Sequence, residues 1–393
     1  MNTQRWMNRQ FFSFFLTWGV FLPYWTGWMI HTKGITVPEA SLIMSLGLVA
    51  RGLSTLFAFP YLSGKFSSKT LLNGMSIGTL IAILLYIPVN SFAGLLLVTL
   101  FLNFVYPTLM PTLDSSASVL VQNKQLKHYG KSRSWGSIGF VVAGMILTFF
   151  TGALGDEVIL WAMLLGTILL MCLGFMHAPV VLSEKPQKNE TKKGGMLTLF
   201  TIKNFGIVLI IVILLQAAHA SYYSYGYIYL QEINAPKYLI GVILNIAVIA
   251  EILFFFIADR AFRKFSVGSL LTLAALGSTV RWIIVFAFPT VMMFSFAQIL
   301  HACSFAMAHY AFMKYLIKHI PHEQIPKAQG IYSALALSWS TAIFTIFGGY
   351  LYEMEPRYAF IGMIICTIPA MLLALVYRKL DDKKDVQTKS LVS

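Results

Sequence analysis

Of the 393 residues, 58% are hydrophobic and only 11% charged, less than half the roughly 25% charged residues of an average soluble domain. A soluble enzyme or binding module of this length is thereby excluded, and the class indicated is an all-α integral membrane protein. The formal net charge of +14 does not indicate nucleic acid as a partner, because the basic residues form short clusters between apolar stretches and no continuous stripe.

Twelve apolar segments follow one another along the chain, at 7–31, 39–62, 68–88, 91–119, 132–153, 156–178, 204–231, 237–258, 267–287, 290–316, 327–350 and 358–377. Each is long enough to cross a hydrocarbon core of ~30 Å as a helix. The first follows Arg5 and Arg9 as a signal peptide would, yet no small-residue cleavage site interrupts it, so it reads as a first membrane helix. Pro23, Pro107 and Pro111 fall within segments and are expected to mark bends. Cys172, Cys303 and Cys366 lie inside apolar segments and read as packing residues, with no disulfide or metal framework.

With the N-terminus inside, 24 lysines and arginines fall on the cytoplasmic side, while Lys33, Lys237 and Arg357 fall on the other. Both termini are therefore expected in the cytoplasm of a multi-pass cell-membrane protein. The longest loop, 179–203, contains Lys185, Lys188, Lys192 and Lys193 and a Gly194-Gly195 pair. It reads as a flexible cytoplasmic linker between a six-helix half over 1–178 and another over 204–378, with a cytoplasmic tail at 379–393. Val49-Ala50-Arg51 matches Ile249-Ala250-Glu251, and Lys65-Phe66-Ser67 matches Lys264-Phe265-Ser266, at offsets of 200 and 199. Such a repeat is expected of a secondary transporter with its site between pseudo-symmetric halves.

Of the 44 charged residues, 40 lie in loops, tails or segment ends. The others are Arg51, Asp114, Glu251 and Arg281, and a mid-helix charge costs ~2.5–3.5 kcal/mol on insertion scales. Ionisable groups retained at that cost point to a substrate and proton path. Buried ion pairs that only lock helices together are the alternative. In the tenth segment Gln298, His301, Phe305 and His309 recur on one helix face, and in the seventh Gln216, His219, Tyr223 and Tyr227 do the same. Polar residues in a span often serve as interhelical glue, but two Gln-His-aromatic stripes favour a cavity lining. The histidines lie on different helices without ligand spacing, so no metal is expected. Neither a phosphate-binding loop nor a nucleophile elbow occurs, so the chain reads as no enzyme, with no cofactor.

Asp259-Arg260-x-x-Arg263-Lys264 resembles the loop signature of the major facilitator superfamily, although Phe255 and Phe262 stand in place of its glycines and only Lys65 remains of it after the second segment. Tyr129-Gly130-Lys131-Ser132-Arg133-Ser134-Trp135-Gly136-Ser137-Ile138-Gly139 is similar to a segment shared by lactose-permease-like and phenylpropionate-permease-like symporters. Gly19 to Trp25, Pro111-x-x-Asp114, Gln216 to Ala220, Arg281-Trp282 and Gln298 to His301 resemble the phenylpropionate permease branch. The resemblance covers about residues 5–377 and implies the twelve-helix fold and proton symport of a small molecule. In lactose permeases a glutamate follows the tenth-helix histidine by three residues, whereas Ser304 follows His301 here, so Glu251 or Asp114 must carry the proton, helped by His301.

Arg51 and Arg281 are expected to hold a substrate carboxylate, because the arginine fork stays charged and binds it bidentately. Tyr24, Trp25, Tyr223 and Tyr227 are expected to flank an aromatic body, with Gln216, His219, Gln298 and His309 completing the lining. A shared Arg281 would couple substrate to a proton on Glu251. Lys131, Arg133, Asp259, Arg260 and Arg263 are expected to form a cytoplasmic gate of charge pairs that breaks on opening inward. An aromatic acid such as a phenylpropionate is the leading substrate, imported by a monomer. A nucleoside or oligosaccharide symporter and a proton-antiport exporter are the alternatives, and a sensor would need a signalling domain longer than any loop here.

Overall fold

The computed structural model describes residues 3–126, 129–176, 178–184, 196–321 and 324–390. The linker lysines and glycines at 185–195 lie outside the described residues, as do the last three residues of the tail. The described residues are almost entirely helical, in the order α1 Thr3–Lys33, α2 Val37–Ser63, α3 Ser68–Leu85, α4 Phe92–Gln122, α5 Tyr129–Leu154, α6 Val158–Phe175, α7 Phe205–Glu232, α8 Lys237–Ala261, α9 Val267–Ala287, α10 Val291–His319, α11 Ile325–Met354 and α12 Tyr358–Leu380. Among the described residues, α2 to α12 are the 11 helices apolar and long enough to cross a membrane. The twelfth expected span is α1, whose 31 residues give ample length but include tryptophans, threonines and glycines that dilute its hydropathy. Side chains at the apolar surface are those of a lipid-facing helix, as at Phe256, which is 88% exposed.

Helix starts follow from the sequence. Thr36 caps α2 in a reciprocal box with Glu39, and Ser91 and Thr290 cap α4 and α10. The repeat reaches this level: Ser67 accepts from the Thr70 amide at 3.2 Å and Ser266 accepts from the Ser269 amide at 3.2 Å, at corresponding places before α3 and α9. The backbone of the last helix runs on to Ser390, through most of the expected tail.

Proline positions only partly mark bends. Pro107 sits in a 3-10 turn, Tyr106–Thr108, that interrupts α4, whereas Pro23 is carried inside a continuous α1. Other irregularities lie away from these prolines, although Pro60 follows the π-helical turn of α2 by two residues. A turn at Ala218 and His219 divides α7, and π-helical turns occupy Ser54–Ala58 in α2, Ala302–Met307 in α10 and Leu335–Trp339 in α11. Such turns widen the backbone spiral by one residue and recur at functional sites.

Contacts divide the chain into two units that part within the linker. Unit 1 comprises 1–191 together with 224–231 and 235–245; unit 2 comprises 192–223, 232–234 and 246–393. The second six-helix half expected at 204–378 thus lends the segments around the α7–α8 connection to unit 1. In unit 1, α1 lies against α5 so closely that a side chain at Gly139 would collide with the Phe12 carbonyl and lie 3.2 Å from the Leu16 amide. This contact gives the Tyr129–Gly139 sequence a structural reason, since small residues let membrane helices approach. In unit 2, Leu215, Phe254, Ala274, Ala311, Phe312 and Tyr332 belong to one apolar core drawn from α7 to α11.

Candidate substrate and proton site

Four helices of unit 2 bring a polar cluster around Arg281 in α9. This side chain is fully buried, and its guanidinium carbon lies 4.6 Å from the ring centre of Tyr222 and 4.4 Å from that of Trp282. Two aromatic faces around a desolvated cation contribute of order 0.5–2 kcal/mol each. Nη1 donates to His301 Nδ1 at 2.9 Å and to Ser304 Oγ at 3.1 Å, and Nη2 donates to Gln298 Oε1 at 3.0 Å. Arg281 Nε is buried with no hydrogen-bond partner among the described residues.

The donors fix the histidine tautomers. An arginine nitrogen only donates, so His301 Nδ1 must accept, and the proton of a neutral His301 sits on Nε2. Nε2 faces Glu251 Oε2 of α8 at 3.8 Å. His219 Nδ1 lies 2.9 Å from the Leu215 carbonyl and therefore donates. Its Nε2 then accepts from Ser304, 3.0 Å away, and the Ser304 oxygen is left to accept from Arg281. One chain of bonds joins α7, α9 and α10.

Parts of the two stripes meet around this cluster. His301, Phe305 and His309 stack in sequence, with ring separations of 5.2 and 6.4 Å and planes within 6° and 3° of parallel. His219 stacks on Tyr223 at 5.8 Å and meets His301 at 5.3 Å. Gln216 donates to Tyr332 Oη at 3.0 Å, and Tyr332 reaches His309 Nδ1 at 3.1 Å. The sequence reading missed Tyr222, Ser304 and Tyr332. Ser304 was visible only as the residue replacing a family glutamate, and Tyr332 as a lone polar group in an apolar span.

The other expected residues are placed as follows. His301 links Arg281 to Glu251: its Nδ1 accepts from Arg281 at 2.9 Å and its Nε2 faces Glu251 at 3.8 Å. Tyr227 lies in unit 1 and donates to Asp156 at 2.5 Å. Tyr24 and Trp25 are fully buried in unit 1, Tyr24 against Tyr227 at 4.7 Å and Trp25 among Trp28 and Tyr86 at 4.6 and 5.1 Å. Arg51, also in unit 1, places its guanidinium carbon 5.1 Å from the Trp18 ring centre, immediately before the π-helical turn in α2. Asp114 accepts from Tyr129 Oη at 2.8 Å, while Arg133 lies over Phe15 at 4.3 Å. Among the described residues Lys131, Arg133, Asp259, Arg260 and Arg263 form no ion pair within 4.0 Å; Asp259 instead accepts from Tyr310 at 3.1 Å.

The sequence profile of the MFS_1 like family matches residues 5–362. The chain belongs to this family. It is 31% identical over 373 residues, 95% of this chain and 97% of the relative, to a protein of Escherichia coli K12 described as a probable 3-phenylpropionic acid transporter. A maltose permease of Geobacillus stearothermophilus is 26% identical over 75% of this chain and 74% of its own. Among solved structures, nucleoside transporter NupG superposes with a TM-score of 0.80 at 17% identity, covering 96% of this chain and 99% of that one. A POT family transporter superposes with a TM-score of 0.71 at 13% identity, over 96% and 95% of the two chains. These likenesses establish the fold, and the MFS_1 like family makes the chain a multi-pass secondary transporter of a small molecule, not an enzyme.

Proposed function

We propose that the chain is a proton-coupled importer of a small organic acid, with an aromatic carboxylate of the phenylpropionate class as substrate. Arg281 carries this reading: a fully buried cation, stacked between aromatic rings, whose Nε has no partner. Nε and the second Nη2 hydrogen form the side-on edge of the guanidinium, the edge that takes both oxygens of a carboxylate. The 31% identical relative described as a probable 3-phenylpropionic acid transporter supports the substrate class.

Coupling follows from the bond between Arg281 and His301. While Nη1 points at Nδ1, His301 cannot take a second proton, since two donors would then face each other. A carboxylate drawing the guanidinium towards itself releases Nδ1, and a proton arriving at Glu251 is held beside the Nε2–H of His301. Substrate and proton are thus bound together and released together when Arg281 returns. Arg51 over Trp18 supplies a second positive group, with Asp114 as the other candidate proton carrier. The protein works as a monomer in the cell membrane with both termini cytoplasmic, and Lys131, Arg133, Asp259, Arg260 and Arg263 serve its cytoplasmic gate.

Reconstituted vesicles with an imposed pH gradient test this reading. Wild-type protein is expected to accumulate 3-phenylpropionate, while Glu251→Gln retains exchange down the gradient but loses uphill accumulation. If Glu251→Gln still concentrates the acid, Glu251 is not the coupling group. A sugar is the second reading, favoured by the 26% identical maltose permease. Thermal stabilisation by maltose and by no acid would replace the acid reading, because a ligand raises stability only by binding the native state.

A further inference from the structure

At the end away from the linker, unit 1 holds a second polar assembly that the substrate site does not use. Asp156, in the turn between α5 and α6, places Oδ2 2.5 Å from His31 Nδ1 near the end of α1. Its Oδ1 accepts from Tyr227 Oη of α7 at 2.5 Å, and Gln231 of α7 adds a further side-chain hydrogen bond. One carboxylate therefore ties α1 and the α5–α6 turn to the final turns of α7.

The seam continues beneath this group. Thr148 Oγ1 of α5 donates to the Lys237 carbonyl at 2.9 Å and accepts from the Gly241 amide at 3.0 Å, so one hydroxyl clips the start of α8. Asn245 Nδ2 donates to the Val141 carbonyl at 3.0 Å, and Ser41 and Tyr225 share a hydrogen bond of 2.6 Å. At Gly241 an added Cβ would collide with the Gly144 carbonyl and come within 2.7 Å of Tyr24 Oη and 2.8 Å of Thr148 Cβ. Residues 224–231 and 235–245 belong to the second half by sequence, yet they pack as part of unit 1.

We propose that this seam is the barrier closing the end of the transporter away from the linker, and that Asp156 is its latch. The bonding pattern suits a joint that must part in every cycle. The bonds run between side chains and backbone groups or to a carboxylate, and water replaces such partners with little net cost where the seam meets solvent. Asp156 is 14% exposed and His31 38%, so water has access to both once they separate. A ligand or proton moves such an equilibrium by its differential affinity for the two states, and a gap of a few hydrogen bonds lies within that reach. Asp156 is a positioning residue: it touches no substrate and acts through His31, Tyr227 and Gln231. This inference stands apart from the choice of substrate or coupling carboxylate.

The test uses the full chain with Cys172, Cys303 and Cys366 replaced by alanine and a reporter cysteine at Ser41, which is buried in the seam. Right-side-out vesicles are treated with a membrane-impermeant maleimide, and labelling of S41C is timed. Slow labelling is expected with Asp156 intact. Labelling about tenfold faster is expected in Asp156→Asn, the scale of losing one charge-assisted hydrogen bond, with partial return in Asp156→Glu. Tyr227→Phe and His31→Gln, which keep the carboxylate, are expected to accelerate labelling severalfold and to decide the matter if Asp156→Asn fails to fold. Unchanged labelling in all folded variants, judged by normal insertion and thermal midpoint, overturns the latch.

Discussion

Ser304→Ala removes one oxygen from the centre of the unit 2 network, and the structure sets the size of the effect. Ser304 is fully buried, accepts from Arg281 Nη1 at 3.1 Å and donates to His219 Nε2 at 3.0 Å. The variant leaves one N–H of a buried cation and one ring nitrogen without partners. Each costs about 1–3 kcal/mol, so the total is about 2–6 kcal/mol unless the network rearranges. With no carboxylate to draw it, Arg281 stays in place, because Tyr222 and Trp282 flank its guanidinium and His301 and Gln298 hold its other bonds. At roughly 1–2 °C per kcal/mol for a long chain, the midpoint should fall by about 2–12 °C. The assay is thermal unfolding of purified protein in detergent at one scan rate, extended to a double-mutant cycle with His219→Ala. The cycle should show a coupling of about 0.5–3 kcal/mol. A loss below about 0.5 kcal/mol together with additive single effects would refute the bridge between Arg281 and His219.

Gly241→Ala should destabilise the protein by about 1–3 kcal/mol and slow transport, since the added methyl overpacks the seam against Tyr24 and Thr148, as thermal unfolding and uptake would show. Burial pushes the Asp156 carboxyl up, but hydrogen bonds from His31, Tyr227 and Gln231 and the His31 charge outweigh it and hold the group below the usual aspartate value. A depressed folded value means stability that is fully present above the unfolded value near ~3.9 and lost as pH falls through the lower folded one. The midpoint gap between wild type and Asp156→Asn should therefore stay constant from neutral pH to about pH 5 and close below that range; a gap unchanged at pH 3 would contradict the assignment. A reporter enzyme fused after Lys193 should be active only in the cytoplasm, as the skewed lysine and arginine count requires.

The class of the protein, the twelve helices and their repeat were legible in the sequence, because each depends on composition or on local periodicity. A helix in lipid must satisfy its own backbone, so a long apolar run has one outcome. The same local geometry put His301, Phe305 and His309 on one helix face, and the structure adds that their rings stack. Partners across helices were a different matter. Arg281 bonds His301, Ser304 and Gln298, and Tyr227 bonds Asp156, because rotation and depth of neighbouring helices decide which side chains meet. Those two quantities come from packing contacts, such as the approach of Gly241 to Gly144, that involve residues 97 positions apart and have no local signature. The turn at His219 and the π-helical turns beside His301 and Tyr332 were equally hidden, since no proline stands within them and only the tertiary setting rewards the extra residue. Spacing along a helix thus named most of the polar residues, and the packing of the helices assigned their partners.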